Sequence, residues 1–271
     1  MSIRSSALLS LYVGFFLIFL YAPTLLLPLF AFNDSTIVAF PLSGFTTAWF
    51  AGLLDVPALH EATINSLAVA LTSAVLATCL GILAARATTR YRFRLMHGML
   101  GLIMLPMVLP EMIIAVAFLV VILHLGFSLS LFSIILGHVL LCTPFSVAIL
   151  RTAFQGLDHN YEDASTDLGY SRWATFRLII VPMVLPGVVA SLLISFTISL
   201  DEFIIAFFLS GTETTLPVYI WGQLRFPQRV PNVLALGTLL LAISLGLMIT
   251  AEFFRRRGLR KLGLSTQESV L

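Results

Sequence analysis

The chain has almost no lysine. Lys261 is the single one in 271 residues, so no phosphate-cradling loop of the G-x-x-x-x-G-K-[ST] type can form here. ATP hydrolysis of that kind needs another chain. Charge of either sign is scarce too: 10% of residues are charged, against 59% hydrophobic. A soluble domain of this length needs far more charge to cover its surface, and mean hydropathy stands at +1.04. Cysteine is limited to Cys79 and Cys142. Both fall inside apolar runs without a C-x-x-C or Cys/His pairing, so they read as buried small hydrophobes. His60-Glu61 has no second histidine at helical spacing, and His97, His124, His138 and His159 are scattered. Neither a metal motif nor a nucleophile elbow is present. His138, inside an apolar run, reads as a residue that hydrogen-bonds between helices.

What the chain does have is apolar runs of about 20 residues, the length that crosses a bilayer core. They are continuously apolar rather than alternating, which excludes a β-barrel. The fold class is an all-α polytopic membrane protein. Six spans are predicted: Ala7–Phe32, Thr63–Ala85, Met99–Leu123, Leu131–Leu150, Pro186–Phe208 and Val233–Phe254. The first is too long for a signal-peptide core of about 7–15 residues and has no small-residue cleavage pattern, so it is expected to be retained. Between the spans lie a polar segment Asn33–Ala62 with Trp49, a basic loop Arg86–Arg94, a tight turn Gly126–Ser130, a long polar loop Arg151–Val181, and a segment Leu209–Asn232 with Trp221. Trp49 and Trp221 read as interfacial anchors. With the N-terminus inside, thirteen of the fifteen lysines and arginines fall on the inner side. Arg225 and Arg229 lie outside. The positive-inside rule therefore places both termini in the cytoplasm. The basic tail Arg255–Lys261 fits orientation and anionic lipid better than nucleic acid.

The loop Arg151–Val181 has helix-forming rather than linker composition. Tyr161–Leu168 can form a short helix, and Gly169 suits a positive φ at its C-terminal end. Ser171 suits the N-cap of a second helix reaching Ile180. Such a helix–turn–helix outside the membrane can dock a partner. The alternative is a plain amphipathic helix lying on the membrane surface.

Asp163-Ala164-Ser165, then Gly169 after three residues, then Ile179-Ile-Val-Pro182 after nine more, resembles the EAA motif of binding-protein-dependent ABC importer permeases. That motif reads E-A-A, three residues, G, nine residues, I-x-L-P. Asp163 stands for the Glu, Ser165 for the second Ala and Val181 for the Leu. Other runs resemble the spermidine/putrescine-type members: Asn33-Asp-Ser, Asn65-Ser-Leu, Pro106-Met-Val-Leu-Pro110-Glu111, and Ser195-Phe-Thr-Ile-Ser-Leu-Asp201-Glu202-Phe followed by Leu209-Ser-Gly-Thr-Glu-Thr-Thr-Leu-Pro217. The resemblance covers nearly the whole chain. It implies a six-helix type I ABC importer permease fold, with 1–271 a single transmembrane permease domain (core about 62–254) and a cytoplasmic coupling loop at 151–181. It implies ATPase-coupling roles for Glu162, Asp163, Ala164, Ser165, Asp167, Gly169, Ile179 and Pro182. The implied solute is a polyamine or related cationic amine. Permeases for iron, phosphonates, opines and amino acid derivatives share the same run. Implied partners are two ATP-binding cassette subunits, a second homologous permease subunit in a heterodimer, an extracytoplasmic solute-binding protein and the lipid of a bacterial inner membrane, with no nucleic acid. The chain itself is then a transport subunit and not an enzyme. It carries no cofactor, ATP and magnesium belonging to the partner ATPase.

Glu111, Asp201 and Glu202 are acids expected within apolar spans, where an ionisable group is costly and faces protein or a water-filled cavity. Asp201 lies 15 residues past Pro186, roughly 22 Å from the inner face at about 1.5 Å per residue. These acids can line the substrate path and guide a cationic amine. Alternatively, one of them caps a broken helix or bonds a neighbouring span. Arg225 and Arg229 are candidates for docking the receptor, or ordinary solvated charges. The rival function is a secondary transporter moving protons through the three acids, which predicts paired broken helices in internal repeats. No convincing repeat is present. A structural or receptor-type membrane protein would not need the patterned central loop.

Overall fold

The computed structural model describes residues 3–91, 94–158 and 160–261. His159 and Arg92, both considered above, lie outside the described residues. Twelve α-helices carry the described chain: α1 (Ile3–Ala31), α2 (Ala48–Leu53), α3 (Pro57–Arg90), α4 (Met96–Met104), α5 (Glu111–His124), α6 (Leu131–Gln155), α7 (Asn160–Asp167), α8 (Arg172–Thr175), α9 (Val181–Asp201), α10 (Ile204–Leu209), α11 (Leu216–Leu224) and α12 (Val230–Lys261). Among the described residues the β-structure is one isolated bridge, Asn33 with Phe45. Helix is what hydrocarbon demands, because each backbone group must find its partner within its own segment.

Five helices are long and apolar enough to cross a membrane: Leu9–Ala31, Pro57–Arg90, Leu131–Gln155, Arg172–Asp201 and Pro227–Gly246. Met96–Met107 and Glu111–His124 make a sixth if the pair, bent by 106°, is one broken span. The bend falls at 108–110, with Pro106 just before it and Pro110 at its end, each lacking a backbone donor.

Contacts divide the chain into two compact units, Met1–Pro57 with Ile220–Leu271, and Ala58–Tyr219. In the first, α1 packs along α12 and α2 rests on α12. The connection between α1 and α2 is organised by Asn33, which is 1% exposed. Its side-chain carbonyl accepts from Ser43 N at 2.9 Å and its backbone carbonyl accepts from Trp49 Nε1 at 2.9 Å.

In the second unit α6 is central, and its neighbours approach closely because the contact residues are small. A Cβ on Gly81 of α3 would lie 2.7 Å from Ser146 Cβ, and one on Gly187 of α9 would lie 2.6 Å from Ala153 Cβ. A hydroxyl seam runs beside these contacts. Ser191, Ser195 and Ser199 lie four residues apart on one buried face of α9. Ser191 pairs with Thr78 at 3.1 Å, Ser195 with Ser146 at 2.9 Å, and Ser199 with His138 Nδ1 at 2.7 Å. His138 is thus the interhelical hydrogen-bonding residue its surroundings predicted. Two apolar clusters flank the seam. Val69, Ile114, Ile134 and Ile205 join α3, α5, α6 and α10. Ala85, Leu150, Ile180 and Val184 join α3, α6 and the start of α9.

Three expected boundaries move. α3 runs to Arg90, so Arg86–Arg90 is the last part of a helix and not a loop. Residues 151–155 belong to α6. The fifth span does not start at Pro186 or reach Phe208: one helical path runs from Arg172 to Asp201, breaks at Glu202-Phe203 and resumes as α10. Within that path Phe176–Ile180 is π-helical. Pro182 cannot donate to Leu178, and its ring would crowd that carbonyl in an α-helix; the wider turn accommodates it.

Replacing Gly81 by Val is expected to separate α3 from α6 and to destabilise the purified protein by about 1–3 kcal/mol. Gly101, which has nothing within 4 Å of an added Cβ, tolerates Ala with no loss and a gain of up to about 1 kcal/mol. Thermal unfolding in detergent measures both; equal midpoints for the two variants would contradict the packing.

Candidate functional site

The polar segment between α6 and α9 folds as a compact module. Asp158 precedes α7, and its Oδ1 accepts from Asn160 N at 3.0 Å. Glu162 and Asp163 occupy its first turn, where carboxylates meet the positive end of the helix dipole. Gly169 closes it at φ +85°. Gly169 N donates to Thr166 O at 2.9 Å and Tyr170 N to Ser165 O at 3.1 Å. This pair of reversed bonds needs a left-handed residue at that position, which glycine supplies without strain. Ser171 then caps α8, its Oγ accepting from Ala174 N at 3.2 Å. The two short helices are tied by a buried bond of 2.9 Å between Ser165 Oγ and Thr175 Oγ1.

The module is also tied to α3. Arg86 donates from Nη1 and Nη2 to the two carboxylate oxygens of Glu162 at 2.6 and 2.7 Å. Arg90, one turn on, donates from Nε to Oε2 at 3.0 Å. Planar guanidinium and carboxylate match edge to edge, so this is the strong form of a charged hydrogen bond. Glu162 is 9% exposed. The hydrogen bonds from Arg86 hold its carboxyl below the ordinary range; burial opposes them, and the charges of Arg86 and Arg90 add to the lowering. Arg86, Arg90 and Glu162 line an open cleft of ≈ 820 Å³ together with Tyr91, Asp163 and Trp173, among others.

The predicted coupling residues therefore divide. Glu162 is committed inside the chain, Ser165 is buried as the link to α8, and Ile179 and Pro182 sit where the path turns into α9. Asp163, Ala164 and Asp167 face solvent. Asp163 keeps 71% of its side chain exposed, with Oδ1 at 4.0 Å from Arg90 Nη2. Beside these acids, Leu168 and Trp173 are 78% and 70% exposed. Trp173 stacks on Phe176 with ring centroids 5.8 Å apart. Acids and apolar groups on one small surface suit a protein partner. Sequence reasoning missed Arg86 and Arg90; their i, i+4 spacing, which puts both on one helix face, was the available signal.

The predicted path acids sit elsewhere. Glu111 is the exposed first residue of α5, and Asp201 the exposed last residue of α9. Glu202 is buried in the break between α9 and α10, and its Oε1 accepts from Ile205 N at 2.9 Å. It caps a broken helix. Arg225 and Arg229 are exposed. Arg229 donates to Gln223 Oε1 at 2.8 Å and lies over the Phe226 ring at 5.0 Å. Among the described residues no group of three or more His, Cys, Asp or Glu is placed to hold a metal ion.

Known proteins resemble the chain in sequence and in fold. The family model described as binding-protein-dependent transport system inner membrane component matches residues 77–260. The spermidine/putrescine transport system permease protein PotC of Escherichia coli (strain K12) is 34% identical over 239 residues, 88% of this chain and 90% of that protein. The putrescine transport system permease protein PotI of the same strain is 33% identical over 258 residues, 90% of this chain and 91% of that protein. A solved bacterial ABC transporter involved in import of the acidic polysaccharide alginate superposes with a TM-score of 0.74 at 13% identity, covering 91% of this chain and 96% of that one. An amino acid ABC transporter solved with histidines gives 0.58 at 14% identity, covering 79% and 100%.

Because the Glu162 carboxyl titrates below its ordinary range, the clamp contributes fully above that range and is lost as pH falls through the lowered value. Hydrogen exchange of the α7 amides, corrected for intrinsic rates, is expected to stay constant from about pH 8 to about pH 5 and to accelerate below about pH 4. Glu162→Gln is expected to cost about 1–3 kcal/mol of protection at neutral pH and to flatten the acid limb. An acid limb unchanged in the variant would assign it to other groups.

Proposed function

The chain belongs to the binding-protein-dependent transport system inner membrane components, the permease subunits of ABC importers, and on that premise we propose that it forms the path for a polyamine or a related cationic amine. The observation that carries the solute class is the near full-length likeness to permeases named for spermidine and putrescine. As a transport subunit it is not itself an enzyme, and the ATPase is a separate chain. The Lys261-only composition agrees with that division.

In this reading the chain lies in a bacterial inner membrane with both termini cytoplasmic. It pairs with a second, homologous permease subunit, and two ATP-binding cassette subunits hold ATP and magnesium. An extracytoplasmic receptor delivers the solute. The α7–α8 module is the contact with the ATPase, through Asp163, Asp167, Leu168 and Trp173. Exposed apolar side chains ringed by acid give such a contact both area and orientation. Closure of the ATPases on ATP displaces the module and thereby opens the path alternately to each side. Asp201 and Glu111 are the acids free to meet a cationic solute, while Glu202 holds the broken helix that shapes its surroundings.

Purification from the native membrane tests the reading, since an ATPase should accompany the chain; a solitary oligomer that transports without ATP would end it. Trp173→Ala with Leu168→Ala is expected to reduce the accompanying ATPase by about tenfold or more, at about 1–2 kcal/mol per apolar anchor. Uptake of labelled spermidine and putrescine tests the solute. Asp201→Asn is expected to lower uptake by at least about tenfold while the complex still assembles, and unchanged uptake would remove Asp201 from the path.

A further inference from the structure

Besides α6, which precedes α7 by four residues and carries Pro144 within it, two helices lead away from the α7–α8 module, and they differ in stiffness. α9 is continuous with it in sequence, but the connection passes through the π-helical stretch Phe176–Ile180 and then Pro182 and Pro186. Each proline removes a backbone hydrogen bond from the helix ladder. α3 meets the module through side chains, at the bidentate Arg86–Glu162 pair and the Arg90 bond. It is nonetheless 34 residues of uninterrupted helix with proline confined to its first position.

The other end of α3 is fastened as well. Asn65 Nδ2 donates to Thr214 O at 3.1 Å, and Ser66 Oγ accepts from Leu216 N at 2.7 Å. Both side chains are buried. The segment they hold, 210–216, in turn holds the start of α6, since Glu213 Oε2 accepts from Leu131 N at 3.1 Å. From Ser66 to Arg86 the helix rises about 30 Å, the thickness of a bilayer core. Along the way α3 is guided by the close seat of Gly81 on Ser146 and by the Thr78–Ser191 bond. Both end joints are directional, so they fix angle as well as distance.

We propose that Arg86 and Arg90 at one end of α3, and Asn65 and Ser66 at the other, are positioning residues that make α3 the strut by which displacement of the module reaches segment 210–216. This rests on the coupling role proposed above for the module. α9 is the compliant connection, bending at its π stretch and prolines while α3 carries the load. Lysine at position 86 would keep the charge but lose the planar fork, leaving a joint that fixes distance without angle.

The test uses the whole complex with its ATPase and receptor in lipid nanodiscs. A spin label is attached at exposed position 212 (T212C) in a Cys79→Ser background, and its spectrum is compared between the nucleotide-free and the ATP-vanadate-trapped states. The expected result is a nucleotide-dependent change in the unsubstituted strut. In Asn65→Ala with Ser66→Ala that change falls by about tenfold, within the usual range of coupling energies, while the ATPase stays bound. Arg86→Lys weakens it severalfold, and Arg86→Glu combined with Glu162→Arg recovers at least half of what Arg86→Glu alone loses. A merely structural role shifts the nucleotide-free spectrum and leaves the difference intact; that result, or a full response in Arg86→Lys, overturns the strut. A complex that keeps its ATPase yet shows no response at position 212 overturns it too. Failure of the unsubstituted chain to retain any ATPase is a separate outcome, which overturns the coupling role itself.

Discussion

Apolar burial does little to hold helices together in a medium that is itself apolar, so contact has to come from close approach and from hydrogen bonds. The unit Ala58–Tyr219 is built on that constraint. Glycines at 81, 137 and 187 let α3, α10 and α9 reach α6 with no Cβ in the way. The serines at 191, 195 and 199 then convert proximity into specific pairing, one hydroxyl per helical turn. Bonds of this type average about 0.6 kcal/mol in bilayers, so register comes from their repetition rather than from the strength of any one. The rest follows from a fixed register: the broken span is held by α6 and α10, and the end of α3 arrives where the module can meet it.

The clamp on Glu162 changes how the module's acids are understood. Two adjacent carboxylates in the first turn of α7 have opposite fates. Glu162 is turned inward and neutralised by two arginines, whereas Asp163 remains in solvent. The shorter acid at the exposed position keeps its charge near the helix surface, where Leu168 and Trp173 also stand. Glu162 therefore fastens the module to α3, and Asp163 stays open to solvent.

Much of this was legible from residue types alone, for reasons that can be named. Gly169 and Ser171 were readable because a left-handed turn and an N-cap are local requirements that few residues satisfy. Pro106 and Pro110, which flank the break in the third span, are residue types that interrupt a helix wherever they stand. The end of α3 was not readable, because arginines after an apolar run look the same whether the helix stops or continues into water. The inward turn of Glu162 depends on a partner 76 residues away, which no local pattern encodes. Glu202 illustrates the same limit from the other side. Its position beside Asp201 marked it as an acid in an apolar stretch, but its task of capping α10 at Ile205 depends on where the chain breaks.

The π stretch at Phe176–Ile180 has a further consequence, and it concerns rotational phase. An α-helix turns about 100° per residue, and a π turn absorbs one residue without advancing the helix by that angle. The five residues therefore set the azimuth of α8, and of α7 bound to it, about the axis of α9. Deleting one residue there would let the segment relax to plain α-helix with the module's azimuth nearly kept, whereas forcing all five residues into α-helix would swing the module by about a quarter turn. Glu162 would then face away from Arg86. The irregularity is thus an angular setting between the membrane helix and the module it carries, and the backbone form of 176–180 is as much a determinant of the site as the identity of any residue in it.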